Sequence, residues 1–143
     1  MNRIEVAGHA ASLGLLEAGI REGEHHQSVL LTGPAGIGKL AVARRLAQAL
    51  LCESSEAPAP CGACRACRLV ASSVHPDLVI GEVGLKIDAV REIQRQLLLS
   101  PAGGTRRVGI LQEIDRASLS AANALLKTLE EPPRHAAVIL TSS

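Results

Sequence analysis

The chain has 143 residues, which predicts one domain with a hydrophobic core of its own. Fifteen Lys and Arg against fourteen Asp and Glu give a net charge of +1, so the chain lacks the basic excess of a domain that grips nucleic acid by itself. Phe, Tyr and Trp are absent, which excludes single-strand binding by base stacking. The 47% hydrophobic content excludes a disordered chain, and no apolar stretch is long enough to predict a membrane span. The first residues show no secretory signal, so we expect a cytoplasmic protein.

Helices and short apolar strands alternate along the chain. The near-helical spacing of Leu13, Leu16 and Ile20 predicts a first helix between Gly8 and Gly23. Short apolar runs predict strands at 28–32, 78–80, 108–111 and 136–140. Helices are predicted at 41–51, at 87–98 and from about Ser120 to the Pro132-Pro133 pair, with a loop insertion at 52–67. This alternation predicts an α/β fold with a parallel sheet covered by helices on both faces.

The segment from Gly33 to Lys39 fits the G-x-x-x-x-G-K phosphate loop. Its glycines let consecutive backbone N–H groups turn toward phosphate oxygens, and the lysine neutralises the terminal phosphates. The context also fits, because the segment follows a predicted strand and opens a predicted helix; a Gly-rich turn without a ligand is the alternative. The predicted phosphate-binding residues are Gly33, Gly36, Gly38 and Lys39.

Two residues that should support magnesium at this loop are replaced. A Ser or Thr should follow the lysine and give its hydroxyl to the metal, and that position holds Leu40. The later acidic strand should end in an Asp that orients the hydrated metal, and Gln112 stands there, although Glu113 is retained. Asp115 is expected to be a solvated, helix-capping acid. We therefore expect a relaxed site that binds ATP weakly and has no catalytic residues.

All four cysteines lie close together in a C-x8-C-x2-C-x2-C pattern. In a chain without a secretory signal, this clustering indicates a metal site more than disulfides. Four thiolates close a tetrahedral shell around zinc and leave no open position, so the predicted site is structural. An iron–sulfur cluster, disulfides and unliganded core cysteines are the alternatives, and the C-P signature of a cluster is absent. The predicted zinc ligands are Cys52, Cys61, Cys64 and Cys67.

Several segments together resemble the bacterial DNA polymerase III clamp-loader subunits of the AAA+ superfamily. They are the phosphate loop, the four-cysteine insertion, His75-Pro76-Asp77, the run from Ile87 to Glu92 and, most specifically, the run from Ala122 to Pro133. The resemblance covers nearly the whole chain. It implies a five-stranded parallel sheet, a phosphate loop and a zinc module inserted at about 52–75. Residues 1–143 would then form a truncated AAA+ domain that lacks the family's lid and collar domains.

The resemblance also implies a function. In that family the gamma/tau motor subunit keeps Thr or Ser after the loop lysine and an Asp-Glu pair on the acidic strand, whereas delta prime subunits often have degenerate sites. Leu40 and Gln112 therefore favour a delta prime subunit, a largely non-hydrolysing scaffold for loading the sliding clamp onto primed DNA. The implied partners are the gamma/tau and delta subunits, with the clamp and primed DNA reached through the complex and no membrane. The family's sensor residue would fall within 141–143, and its Ser-Arg-Cys motif just beyond.

Two other functions are weighed against this one. The first is an active gamma/tau-like ATPase with an unusual metal shell. The second is a zinc-containing nucleic-acid-binding module whose phosphate contacts would be Arg44, Arg45, Arg65, Arg68, Arg106 and Arg107. The near-neutral charge favours ordinary solvated surface for these arginines.

Overall fold

The computed structural model describes residues 28–34, 38–54, 59–103, 106–131, 133 and 135–143. The helix predicted between Gly8 and Gly23 lies outside these residues. In chain order, the elements are β1 (Ser28–Thr32), α1 (Lys39–Leu51), α2 (Arg65–Ala71), β2 (Leu78–Gly81), α3 (Ile87–Leu98), β3 (Arg107–Leu111), a 3₁₀ helix (Ile114–Arg116), α4 (Leu119–Glu130) and β4 (Ala136–Ser142). None of the described helices has the length and apolarity that a bilayer crossing requires.

The four described strands form one parallel sheet in the order β1-β4-β3-β2. In the register, Leu30 lies opposite Leu140 of β4. On the other side of β4, Val138 lies opposite Gly109 of β3. Because all strands run the same way, their carboxyl ends meet at one edge of the sheet, which is where parallel α/β sheets bind ligands. The predicted α/β fold with a parallel sheet is confirmed, and four of the five strands that the resemblance implies lie within the described residues.

Helices cover both faces of the sheet, as the sequence predicts. Alternate residues of the central strands point to opposite faces: Ile139 packs under α1 and α2, whereas Val138 packs under α3 and α4. The helix contacts come from aliphatic side chains such as Leu46 on the first face and Leu97 on the second. Both half-cores are therefore built without an aromatic ring.

Element boundaries agree with the sequence to within two residues, except in the cysteine segment. The loop predicted over 52–67 is wrong at its end, because α2 begins at Arg65 and contains Cys67. The Sγ of Cys64 accepts the N–H of Cys67 at 3.4 Å and so caps this helix. Cysteine is not a common cap, so the sequence carries no helix-start signal there. By contrast, Ser118 caps α4 in the usual way, accepting the N–H of Ala121 at 3.2 Å.

A buried ion pair fixes the amino edge of the sheet. Asp77, which is 1% exposed, accepts the backbone N–H groups of Ala102 at 2.7 Å and Gly103 at 3.3 Å. Its Oδ1 also lies 3.7 Å from Nη2 of Arg107. The guanidinium of Arg107 donates in turn to the carbonyl of Ser100 from Nε at 3.2 Å and Nη2 at 3.1 Å. The loop after α3 is thereby tied to the strands beneath it.

Removing one member of this pair leaves the other buried charge uncompensated. We expect Asp77→Ala to lower the free energy of unfolding by about 3–5 kcal/mol. Asp88→Ala is the matched control: Asp88 is exposed in the first turn of α3, so its loss costs about 1 kcal/mol or less. Urea denaturation of the two variants measures the difference, and equal midpoints would contradict a stabilising role for Asp77.

Candidate functional site

The described part of the predicted phosphate loop lies at the carboxyl edge of the sheet, between the end of β1 and the start of α1. Gly38 precedes α1 with φ of +88°, a backbone conformation that favours glycine. Gly33 follows β1, and its N–H donates to the carbonyl of Ser142 at the end of β4 at 3.1 Å. Lys39 is the first residue of α1. Gly36, the remaining predicted residue, lies outside the described residues.

The buried side chain of Lys39 connects the ends of three strands. Its Nζ donates to the carbonyl of Gly33 at 2.7 Å and to the carbonyl of Ser142 at 2.9 Å. It also forms an ion pair with Oε1 of Glu113 at 3.0 Å. The ammonium group therefore joins the residues that follow β1 and β3 to the last residue of β4.

Glu113 lies where the sequence predicts it, two residues after β3, and its position is tightly defined. Its φ of +48° is left-handed, and its N–H donates to Oγ1 of Thr141 at 2.8 Å. The hydroxyl of Ser143 donates to Oε2 of the carboxylate at 2.9 Å. The hydrogen bond from Lys39, followed by that from Ser143, lowers the pKa of the Glu113 carboxyl, so it is ionised at neutral pH.

Asp115 differs from its predicted role. It is exposed, as expected, but it lies within the 3₁₀ helix and caps a strand end rather than a helix. Its Oδ1 accepts the N–H of Ser143 at 3.3 Å and the hydroxyl of Ser142 at 3.2 Å. The backbone N–H of Ser143 lowers the pKa of this carboxyl. Asp115 thus helps to hold the end of β4 beside Glu113.

The two positions that should support magnesium hold uncharged side chains. Leu40 is 37% exposed and carries no oxygen. Gln112 uses its side-chain Nε2 to donate to the carbonyl of Gly81 at 3.2 Å, so it joins the ends of β3 and β2. An aspartate at this position could not make that bond, because a carboxylate has no proton to donate.

The four cysteine sulfurs form one compact cluster, and all of them lie within 4.8 Å of one another. Two of the sulfur pairs are 3.9 Å apart (Cys61 and Cys67) and 4.0 Å apart (Cys64 and Cys52). Tetrahedral zinc with bonds of about 2.3 Å places its sulfur ligands about 3.8 Å apart. The cluster therefore has the dimensions of a four-thiolate metal site and could hold a metal ion.

Backbone N–H groups surround these sulfurs. The N–H of Ala63 lowers the pKa of Cys61 to about 6, and the N–H of Cys64 adds to the effect. Burial raises the pKa of Cys52 and of Cys67. Four thiolates in so small a volume repel one another, so a bound cation is what would make the fully ionised cluster stable.

The cysteine cluster is attached to the same helix that begins at the phosphate loop. Cys52 directly follows α1, and Nε2 of Gln48 donates to the carbonyl of Cys67 at 2.9 Å in a buried contact. Nη2 of Arg44 donates to the carbonyl of Ala71 at 3.0 Å and to the hydroxyl of Ser73 at 2.9 Å. Helix α1 has 13 residues, so the two sites are separated by about 18 Å of helix.

The arginines proposed as nucleic-acid contacts are not all solvated surface. Arg107 is 9% exposed and bonds the Ser100 carbonyl, and Arg44 holds the end of α2. For these two residues, and for Arg106, whose Nη1 is buried, the expectation of ordinary solvated surface is wrong. The guanidinium groups of Arg44 and Arg107 both donate to oxygens within the protein. Arg65 and Arg68 are exposed, as expected.

A family model described as DNA polymerase III, delta subunit, matches residues 8–143 of the chain. The chain belongs to the DNA polymerase III clamp-loader family. It is 39% identical over 124 residues to the DNA polymerase III subunit delta' of Pseudomonas aeruginosa, covering 83% of the chain and 38% of that relative. It is 34% identical over 141 residues to the DNA polymerase III subunit tau of Escherichia coli, covering 97% of the chain and 22% of that relative.

A solved structure has the same fold as this clamp-loader chain. It is a DNA polymerase III, gamma subunit-related protein from Thermotoga maritima, with a TM-score of 0.66 and 26% sequence identity. The match covers 91% of the chain and 38% of the solved protein. The chain thus spans about a fifth to two fifths of the relatives it matches, and both delta' and tau subunits are among them.

The cysteine cluster leads to a prediction about metal content. We expect protein purified under anaerobic conditions to carry one zinc ion per chain, and Cys61→Ser to weaken its retention. A chelator should increase hydrogen exchange between Cys52 and His75 while the strands stay protected, because metal binding is linked to local folding. Chelator already saturated with zinc is the control. Elemental analysis showing iron, or no metal at all, would rule out the zinc site.

Proposed function

We propose that this chain is the phosphate-loop part of a delta prime subunit, a largely non-hydrolysing scaffold of the clamp loader that places the sliding clamp on primed DNA. The observation that carries the proposal is which side chains occupy the two positions that should support magnesium. Leu40 offers no oxygen, and the Gln112 amide is engaged with the Gly81 carbonyl. The identity to the delta' subunit of Pseudomonas aeruginosa supports this assignment.

The loss of metal support bears directly on hydrolysis. In phosphoryl transfer, the enzyme contributes mainly positioning and neutralisation of charge, and magnesium supplies much of that neutralisation. Glu113 is retained in the position of the acid that polarises the attacking water, but without a held metal there is no positioned phosphate for that water to attack. Here its carboxylate is paired with Lys39. A site that keeps the lysine and the backbone amides but lacks metal support binds ATP weakly and does not hydrolyse it.

The remaining parts of the proposal follow the same resemblance. Residues 1–143 form part of an AAA+ domain, with a structural zinc module at about 52–75. The partners are the gamma/tau and delta subunits, with the sliding clamp and primed DNA engaged through the assembled complex, in the cytoplasm. The dimensions of the four-cysteine cluster support zinc, because they match a closed tetrahedral shell.

An active gamma/tau-like ATPase is the second candidate. The identity to the tau subunit of Escherichia coli over 97% of the chain favours it, as does the retained pair of Lys39 and Glu113. The two candidates differ in one measurable property. The gamma/tau-like ATPase would hydrolyse ATP with magnesium in a reaction that requires Lys39, and the delta prime scaffold would not.

We expect the full-length protein, assembled with its partners, to contribute no ATP hydrolysis of its own. Lys39→Ala in this subunit should therefore leave the turnover of the complex unchanged, measured on complexes purified after assembly, because the substitution also removes contacts that join three strand ends. Restoring Leu40→Thr and Gln112→Asp together tests whether metal support is what is missing, with Leu126→Thr, at an exposed position of α4, as the matched control. Magnesium-dependent hydrolysis by the unmodified subunit that disappears with Lys39→Ala would favour the gamma/tau assignment.

A further inference from the structure

The ammonium group of Lys39 has no proton free for a ligand. A lysine has three N–H donors, and three oxygens lie within hydrogen-bond distance of Nζ: the carbonyls of Gly33 and Ser142 and Oε1 of Glu113. The distances are 2.7, 2.9 and 3.0 Å, and the side chain is 6% exposed. In a phosphate loop this same group should meet the phosphate oxygens.

Two of the three acceptors are backbone carbonyls and the third is the side chain of Glu113, which is held in place from two sides. The backbone carbonyls belong to β4 and to the residue after β1, so they are fixed by the sheet. The Glu113 backbone is fixed by the hydrogen bond to Thr141, which is 2% exposed, and its Oε2 accepts from Ser143 at 2.9 Å. Contacts within the protein therefore position the carboxylate against Lys39.

We infer that Glu113 serves in this chain as the internal counter-ion of Lys39, which a phosphate anion must displace in order to bind at the loop. The inference rests on the proposed function, because it takes the segment from Gly33 to Lys39 to be an anion site. It gives Glu113 the role of a positioning residue that lowers affinity for phosphate, in place of the role of polarising water. Ser143 supports that role through the second carboxylate oxygen.

The charges explain why the pair opposes binding. Lys39 and Glu113 together carry no net charge, so an approaching anion meets little attraction from the pair and is repelled by the nearby carboxylate. Replacing the carboxylate with an amide keeps the shape of the side chain and leaves the lysine charge uncompensated. The site then gains one positive charge at the point where the phosphates arrive.

The experiment measures binding of inorganic pyrophosphate to the full-length protein by calorimetry. Glu113→Gln should bind about tenfold more tightly than the unmodified protein, which corresponds to the loss of one competing charge-assisted contact. Glu130→Gln is the matched control, since it makes the same change in net charge at an exposed residue of α4 and should leave affinity unchanged. Adding Lys39→Ala to Glu113→Gln should abolish the gain.

A second variant tests the role of Glu113 without changing its charge. Ser143→Ala removes the hydrogen bond to Oε2 and should raise pyrophosphate affinity about threefold, the effect of one ordinary hydrogen bond. If Glu113→Gln does not fold, this variant decides the question alone.

The possible failures are distinguishable. Unchanged affinity in Glu113→Gln and Ser143→Ala, with weaker binding in Lys39→Ala, overturns the counter-ion role and leaves the anion site intact. No pyrophosphate binding by any folded variant overturns both the inference and the anion site on which it rests.

Discussion

The parallel direction of the strands is the constraint on which the candidate site depends. Because β1, β3 and β4 run the same way, their ends converge at one edge, where two carbonyl oxygens and one carboxylate share a single cation. Lys39 is that cation. In this fold its ammonium group joins strand ends, and the proposed binding of phosphate would be a second use of the same group. A chain that stops using nucleotide still has a structural reason to keep the lysine.

Helix α1 carries both candidate sites, one at each end. Its amino end presents Lys39, and Cys52 follows its carboxyl end. Between them, Gln48 and Arg44 hold α2 against the helix by hydrogen bonds to backbone carbonyls. The cysteine module is therefore attached to the helix that carries the lysine, yet the groups that attach it are different from those that form the phosphate loop. This separation would allow residues of the phosphate loop to change without disturbing the cysteine cluster.

The predictable parts of the structure come from local patterns. Strand and helix alternation predicted the sheet, and the spacing of the cysteines predicted their cluster, because loop closure over a few residues leaves little freedom. Contacts between distant segments gave no such signal. The Ser142 carbonyl that accepts from Lys39 is a backbone atom 103 residues away, and no residue type marks it. Likewise Gln112 could be recognised as a missing aspartate, but its bond to Gly81 depends on how β2 and β3 are aligned.

The sequence also did not indicate which charged side chains are buried. The nucleic-acid alternative depended on six arginines, and Arg107 is one of them. Its guanidinium group pairs with Asp77 and donates to a loop carbonyl. A guanidinium can lie beneath a loop when carbonyl and carboxylate oxygens surround it, and composition alone does not show which arginine is so placed. The helix that begins after Cys64 was not predicted either. The sulfur of Cys64 is both its cap and a candidate metal ligand, and the sequence shows only the second of these roles.

The core without aromatic rings has an optical consequence. With Phe, Tyr and Trp absent from the sequence, the chain has no aromatic absorption in the near ultraviolet and no intrinsic fluorescence. The cysteine cluster could then supply near-ultraviolet absorption, through charge transfer from sulfur to metal, if Co²⁺ were bound there in place of zinc, whose thiolate complexes absorb only in the far ultraviolet. The spectrum of this chain would therefore report directly on one site, against a background in which the rest of the fold is transparent.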